Sequence, residues 1–248
     1  MVTRAQEMNR KSSLAPELSI IVPCYNEAKN IPHILRRFMP VLKSVRVELI
    51  LVNNGSADDT AAVLKRELSK RQYGFARTVL VPVNIGYGHG ILTGLRAAKG
   101  KVLAYTHADL QTPPEDVFKA YHMYQDRQMT KHLVKGARKG RKPIDAVFTW
   151  CYGALASVVF LSWLHEINAQ PKVFPRELLA LLDDAPKDFS LDLYLLAKAK
   201  RAHYAITEFP VDFGARLHGA SKWAFSPKAK LKGVARFFGG IFRARWMC

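Results

Sequence analysis

The sequence predicts an α/β protein built on a mostly parallel central sheet flanked by helices. Three observations carry that expectation. Short apolar runs alternate with stretches of helical spacing through residue 124, as repeated strand–helix units do. Each run ends in a cluster of turn-forming residues, with the helical stretch following it. The chain has 248 residues, 49% of them hydrophobic, enough to bury one sizeable core rather than two equal ones.

Leu18 to Val22 is the first strand; it runs into Pro23-Cys24-Tyr25-Asn26-Glu27, after which Ile31, Ile34, Leu35 and Phe38 recur at helical spacing. Val47 to Val52 is the second strand, Asn53-Asn54-Gly55-Ser56 its loop, and Thr60 to Ser69 an amphipathic helix behind N-capping residues. A third unit occupies 77–100, turning at Asn84-Ile85-Gly86. A fourth occupies 101–124, with His107-Ala108-Asp109-Leu110-Gln111 ahead of Pro113-Pro114. In open parallel sheets ligands bind beyond the carboxyl ends of the strands, so four polar loops at that end converge on one crevice.

The composition shifts after residue 130. Residues 131–142 hold six basic side chains in twelve positions, and residues 146–164 carry no charge over 19. That second stretch approaches the length of a membrane span, but Thr149, Tyr152, Gly153, Ser157 and Ser162 dilute it, so a buried or membrane-surface helix is expected. A span would place the motifs before and after it on opposite sides of a bilayer. The run YAITEFPVDF reads as an edge strand, because Pro210 cannot donate a ladder hydrogen bond. The expected division is a flexible segment over 1–17, a domain over 18–225 and a basic amphipathic segment over 226–248.

Lys and Arg number 38 against 20 acidic residues, a formal charge of +18. An anionic partner follows: nucleic acid, lipid headgroups or a phosphate-rich substrate. From residue 213 onward there are eight Lys or Arg and no acids; Leu231, Val234, Phe238, Ile241 and Phe242 share one helical face, and Lys228, Lys232, Arg236 and Arg243 lie largely on another. This suits a helix on an anionic membrane surface, with docking to a partner protein as the alternative. No recognition module for nucleic acid accompanies it. Three cysteines, odd in number and without metal spacing, indicate a reducing compartment, and residues 1–17 show no signal peptide. The expected location is cytoplasmic, peripheral on the cytoplasmic face of a membrane; oligomeric state is not legible.

Asp109 ends a strand, with His107 two residues before it and Gln111 two after, and alternate residues of extended chain face one way. Asp109 and Gln111 would give oxygen donors to a divalent cation bridging nucleotide phosphates, and His107 a softer nitrogen donor or none. An N-terminal helix cap is the competing reading of the same residues.

The ordered set VPCYNE, LVNNGSADDT, NIGYG, HADLQTPPED, GARKGR, ITEFPV and RLHGASKW, spread over about residues 18–223, resembles the family 2 glycosyltransferases of the GT-A nucleotide-sugar-binding fold, above all their polyprenyl-phosphate, dolichol-phosphate mannose synthase-like branch. The resemblance implies an inverting transfer of one sugar from a nucleoside diphosphate to a polyprenyl phosphate, with Mn²⁺ or Mg²⁺ on the diphosphate. It implies nucleotide contacts from Pro23, Tyr25, Asn26, Glu27, Asn53, Asn54, Gly86, Ala108 and Asp109. Arg138 and Arg141, placed just after a strand, and Arg216, Ser221 and Lys222 are the candidates for gripping donor and acceptor phosphates, with Gln170 and Asn168 near the acceptor. Asp109, Arg216 and Asp192 are the candidate catalytic residues.

Two departures bear on this. Asn53-Asn54 stand where the family usually has acids, and His107 stands where its metal loop usually opens with Asp. Both remove negative charge around a cation, which predicts weaker metal binding, a tilt toward Mn²⁺, or in the extreme a protein that binds nucleotide without turning it over. An Asn amide matches the uracil edge, which slightly favours a UDP-sugar over GDP-mannose. Two alternatives stay open: transfer to a saccharide or other soluble acceptor with Asp192 as base, and a non-catalytic nucleotide-sugar- or lipid-binding protein.

Overall fold

The computed structural model describes residues 15–40, 45–126, 131–140, 143–218 and 227–248, with side chains of the last helix from residue 237. Seven strands form one sheet: β1 (Leu18–Cys24), β2 (Val47–Asn54), β3 (Ala76–Val81), β4 (Val102–Tyr105), β5 (His132–Lys139), β6 (Lys172–Pro175) and β7 (Ala205–Asp212), in the order β3-β2-β1-β4-β6-β5-β7. The pairs β1–β2, β1–β4, β2–β3 and β5–β7 are parallel, while β6 runs antiparallel to both β4 and β5.

Successive residues of a strand face opposite sides of the sheet, and here both sides are covered. Ile20, Val22, Leu49, Leu51 and Ala104 meet α1 (Ile31–Phe38), α2 (Thr60–Leu68) and α4 (Glu115–Asp126) in one core. Ile21, Ile50, Val52, Leu103 and Phe174 meet α3 (Tyr87–Ala97), α5 (Pro143–Phe160), α6 (Leu191–Arg201) and α7 (Pro227–Met247) in the other. Because β1 and β2 are buried on both faces, their sequences are nearly continuous apolar runs, which is what made them readable.

The four strand–helix units stand where the periodicity places them, and β7 lies at the sheet edge, as Pro210 requires. Strand β6 is not anticipated by the sequence pattern: four residues bounded by Pro171 and Pro175 leave too little alternation to read. Strand β5 extends through Arg138 to Lys139, so Arg138 lies within the strand and not after it. Helix α5 ends at Phe160, where Ser157 Oγ accepts a 2.9 Å hydrogen bond from the Leu164 amide and turns the chain back. Strands β5 and β6, immediately before and after α5, pair with each other in the sheet, so α5 does not carry the chain across a bilayer.

Helix α7 departs from expectation. Ile241, expected on a membrane-facing side, is fully buried together with Ala244, and Phe237 packs edge-on against Tyr152 at 4.9 Å. The apolar face of its last three turns covers α5 and α6. Leu231, Val234, Lys228, Lys232 and Arg236 have side chains outside the described residues.

Candidate functional site

The loops after β1 and β2 are knitted together at the carboxyl end of the sheet. Asn26 takes a left-handed conformation with φ 58°, its Oδ1 accepts the Ala57 amide at 2.9 Å, and its own amide donates to Ser56 Oγ at 3.1 Å. The Glu27 amide donates to Thr60 Oγ1 at 2.9 Å, and its carboxylate accepts Asn30 Nδ2 at 2.6 Å. Pro23, Tyr25 and Glu27 stay half-exposed around this junction.

Asn53 and Asn54 are buried, and each bonds the loops through one end of its amide. Asn53 Oδ1 accepts the Ser56 amide at 3.2 Å, and Asn54 Nδ2 donates to the Gly86 carbonyl at 3.0 Å. Each amide thus gives one of its polar groups to bracing the loops. Gly86 has φ 145°, and a Cβ there would collide with the Lys187 carbonyl, which accepts the His89 amide at 2.9 Å. The third loop is thus bolted to residues 187–188 by a contact only glycine allows.

Beyond β4, Asp109 is 8% exposed, and its Oδ1 accepts the Gln111 amide at 3.2 Å. The segment following β7 returns onto this loop: the Gly214 amide donates to the Gln111 carbonyl at 2.9 Å, and Gln111 Nε2 donates to the Gly214 carbonyl at 3.0 Å. Arg216 arrives with it. Its Nε donates to Gln111 Oε1 at 3.1 Å, and a terminal nitrogen lies 3.3 Å from Asp109 Oδ2. The expected metal loop and the expected phosphate-binding arginine therefore meet, although 107 positions separate Asp109 from Arg216.

Asp109 and Gln111 direct oxygens at one point, and a cationic group occupies it. That arrangement fits a divalent cation held by one carboxylate and one amide oxygen and completed by substrate phosphates, the manner in which Mg²⁺ and Mn²⁺ are bound at nucleotide sites. It does not build a cage of its own: among the described residues no three His, Cys, Asp or Glu cluster as metal ligands. Burial holds the His107 imidazole below its ordinary range, so it adds no positive charge here.

Beneath the loops lies a charged network that sequence reasoning missed in part. Asp192 is 1% exposed; one of its oxygens accepts from Lys172 Nζ at 2.6 Å, Tyr105 Oη at 2.7 Å and Gln170 Nε2 at 3.2 Å, and the other accepts from Asn168 Nδ2 at 3.2 Å. The grouping of Asp192 with Asn168 and Gln170 is a finding of the structure. The role of free base is corrected, because Lys172 neutralises the carboxylate inside the protein. Gln170 also donates to Tyr87 Oη at 3.1 Å, and burial followed by the Asp192 charge holds both Tyr87 and Tyr105 phenols well above their ordinary value. Lys172 opens the short run KVFP, and its partner lies 20 residues away in sequence.

Arg138 pairs with Glu166 at 2.8 Å and lies over the Phe213 ring at 5.5 Å, with 15% of its side chain exposed. Its guanidinium is held between Glu166 and the segment after β7. Arg141, Ser221 and Lys222 lie outside the described residues. Ala108 is buried next to Asp109, and three side-chain atoms around the crevice, Asn54 Oδ1, Thr106 Oγ1 and Gln170 Oε1, are buried without a hydrogen bond among the described residues.

Residues 19–144, just over half of the chain, match the family model described as glycosyl transferase family 2. An undecaprenyl-phosphate 4-deoxy-4-formamido-L-arabinose transferase of Pseudomonas savastanoi pv. phaseolicola is 28% identical over 213 residues, covering 84% of this chain and 60% of that protein. A dodecaprenyl-phosphate galacturonate synthase of Rhizobium johnstonii is 27% identical over 220 residues, covering 85% and 62%. The chain thus spans about 60% of the length of these curated relatives. Glucosyl-3-phosphoglycerate synthase of Mycobacterium tuberculosis, crystallised with Mn²⁺, UDP and glucosyl-3-phosphoglycerate, superposes with a TM-score of 0.67 at 21% identity over 98% of this chain and 84% of that one. The mostly parallel sheet with helices on both faces is the GT-A fold. With that architecture and with half of its length matched, the chain belongs to glycosyl transferase family 2.

Proposed function

We propose that the protein transfers a single sugar, with inversion, from a nucleoside-diphosphate sugar to a polyprenyl phosphate at a membrane surface. The observation that carries this is the convergence of Asp109, Gln111 and Arg216 at the carboxyl end of β4. Two charges of opposite sign, held one against the other, form a seat that a metal–diphosphate pair can enter by exchange. Mn²⁺ or Mg²⁺, when bound, offsets negative charge on the leaving diphosphate.

The chain's own groups do the rest. Asp109 and Gln111 are the residues that would hold the ion. Arg216 turns its fork of donors to a phosphate once Asp109 has another partner. The half-exposed Pro23, Tyr25 and Glu27 border the place for base and ribose. A polyprenyl phosphate is an ionised nucleophile at neutral pH and needs no general base. A saccharide hydroxyl needs one, and the carboxylate that would serve, Asp192, is tied to Lys172. This supports the lipid-phosphate acceptor over a soluble sugar.

The polyprenyl-phosphate acceptors in the names of both curated relatives point the same way. A UDP-sugar donor is favoured by the UDP held in the structural neighbour. The catalytic unit is the domain over 18–225, with α7 as part of the same body, working on the cytoplasmic face. The test is donor consumption and sugar transfer over a panel of nucleotide sugars with Mn²⁺, with and without polyprenyl phosphate. Turnover of a UDP-sugar that depends on the lipid phosphate is expected. Equal turnover with a saccharide acceptor, or no binding of any nucleotide, refutes the reading.

A further inference from the structure

We propose that the outer face of the α5–α7 pair is the surface on which the protein rests on a bilayer, and that helix α5 provides most of it. This rests on the polyprenyl-phosphate reading above for its purpose, though not for its geometry. Ile144, Val147, Cys151, Ala154 and Val158 recur at intervals of three and four, a single helical stripe, and Leu161 follows just past the helix end. They do not pack inward: Ile144 is 77% exposed, Val147 60%, Val158 70% and Leu161 88%. The opposite side of the helix, with Tyr152 and Ala156, faces the core.

Helix α7 widens this face. Phe148 and Tyr152 meet Phe237 and Phe238, and Arg245 Nε donates to the Val159 carbonyl at 3.2 Å, so the two helices run alongside in the same direction. With Ile241 and Ala244 turned inward, α7 leaves Phe242 51% and Trp246 90% exposed. Trp150 at 65%, Trp163 at 73% and Trp246 stand out from this pair and its end. Tryptophan belongs at the boundary between headgroups and acyl chains, and exposed tryptophans on an uncharged stripe are unusual where only water is present.

Charge selects the occupant. Arg245 lies exposed beside Trp246, Arg243 is exposed but paired with Asp188 at 3.0 Å, and Lys200 shares a small cavity with Trp163, Lys135 and Glu208. A second copy of a chain carrying +18 would meet this face with repulsion, whereas an anionic bilayer attracts it. The face also lies close to the chemistry. A row of rings leads from Tyr152 to Phe237 at 4.9 Å, to Phe189 at 6.1 Å, to Tyr87 at 5.0 Å and to His107 at 6.1 Å, two residues before Asp109.

The test uses the full chain and vesicles of phosphatidylcholine with or without phosphatidylglycerol. Wild type sediments with the anionic vesicles, and V147E/V158E binds them at least about tenfold more weakly, since a carboxylate must be desolvated at each position. Transfer to a short-chain, water-soluble prenyl phosphate stays unchanged, which also shows that the variant is folded. A fluorophore on Cys151, with Cys248→Ser to leave only the buried Cys24, shifts to the blue on vesicle addition without altering the stripe's charge. Vesicle binding equal in wild type and V147E/V158E, or a label that stays water-exposed on bound vesicles, overturns the proposal. So does a wild-type dimer that V147E/V158E dissociates with vesicle binding intact. Vesicle binding without transfer to any prenyl phosphate leaves this face in place and removes the proposed function instead.

Discussion

The buried pair of Lys172 and Asp192 invites the most demanding measurement. Both side chains are essentially inaccessible, at 0% and 1%, and their charged atoms stand 2.6 Å apart. Asp192→Asn removes the negative charge and leaves a core ammonium with the Ala169 carbonyl at 3.0 Å and the Tyr105 ring at 5.4 Å beside it among the described residues. Breaking a buried pair from one side costs about 3–5 kcal/mol. An amide has a second difficulty: one carboxylate oxygen accepts three donors and the other accepts Asn168 Nδ2, so either orientation of Asn aims an NH₂ at a donor. That mismatch adds about 1–3 kcal/mol, so a total loss of about 4–8 kcal/mol is expected, a large share of the roughly 5–15 kcal/mol typical of a domain. The assay is urea unfolding followed by tryptophan fluorescence and far-UV circular dichroism. The double variant K172M/D192N restores about 2–3 kcal/mol of this, because the stranded cation leaves with its partner. A D192N loss below about 1 kcal/mol, or simple additivity in the double variant, refutes the account of this pair. Activity separates the two roles of Asp192: a general base would make turnover collapse in D192N with stability untouched.

Three further outcomes are expected. Asp109→Ala abolishes Mn²⁺-dependent UDP binding in calorimetry, whereas Arg216→Ala binds Mn²⁺ alone more tightly than wild type by about fivefold or more, since the competing guanidinium is gone; unchanged ion affinity in the Arg216 variant would show that the contact with Asp109 is not a competitor. Burial pulls Lys135 down to about 8, with Glu208 only partly opposing, while the unfolded side chain titrates near 10.5. Between those values the unfolded chain holds more protons, so stability must rise with pH across that window and carry the full burial penalty below it. The difference between wild type and Lys135→Met, followed by chemical unfolding from pH 7 to 10, should grow in favour of wild type by roughly 2 kcal/mol, and a flat difference rejects the assignment. Gly86→Ala forces a Cβ onto the Lys187 carbonyl at a positive φ, and should destabilise by about 1–3 kcal/mol and weaken UDP binding together; an unaltered Kd would detach this loop from the nucleotide site.

Most of the scaffold can be read from the chain because its signals are local. Leu18 to Cys24 and Val47 to Asn54 announce themselves by unbroken apolarity, and the loops behind them by Asn, Gly and Pro. Asp109 and Arg216 were separately recognisable as a metal-type carboxylate and a phosphate-type guanidinium. What could not be read was pairing across distance. Nothing local says that Arg138 is spoken for by Glu166 or that Lys172 sits in the core against Asp192, since each partner lies 20 or more residues away. Asn53 and Asn54 looked like site residues because they end a strand at the right place; their burial under Gly86 depends on how close a glycine lets that loop approach. In α7 Ile241 is buried and Phe242 exposed, and a helical pattern tells only that one side is apolar. It does not say whether protein or lipid covers it.

Ile241 and Ala244, sealed into the second core close to the last residue given, set the timing of synthesis. They follow the end of α5 by roughly eighty residues, and at about 5–20 residues per second a ribosome needs roughly 4–16 s to deliver them. For that interval Phe148 and Tyr152 emerge uncapped beside the already bare outer stripe, so the nascent chain is stickier than the finished one. Chaperone occupancy during translation should therefore peak between the release of α5 and the arrival of residue 244, and any shortening of the chain before that point prolongs the exposure indefinitely.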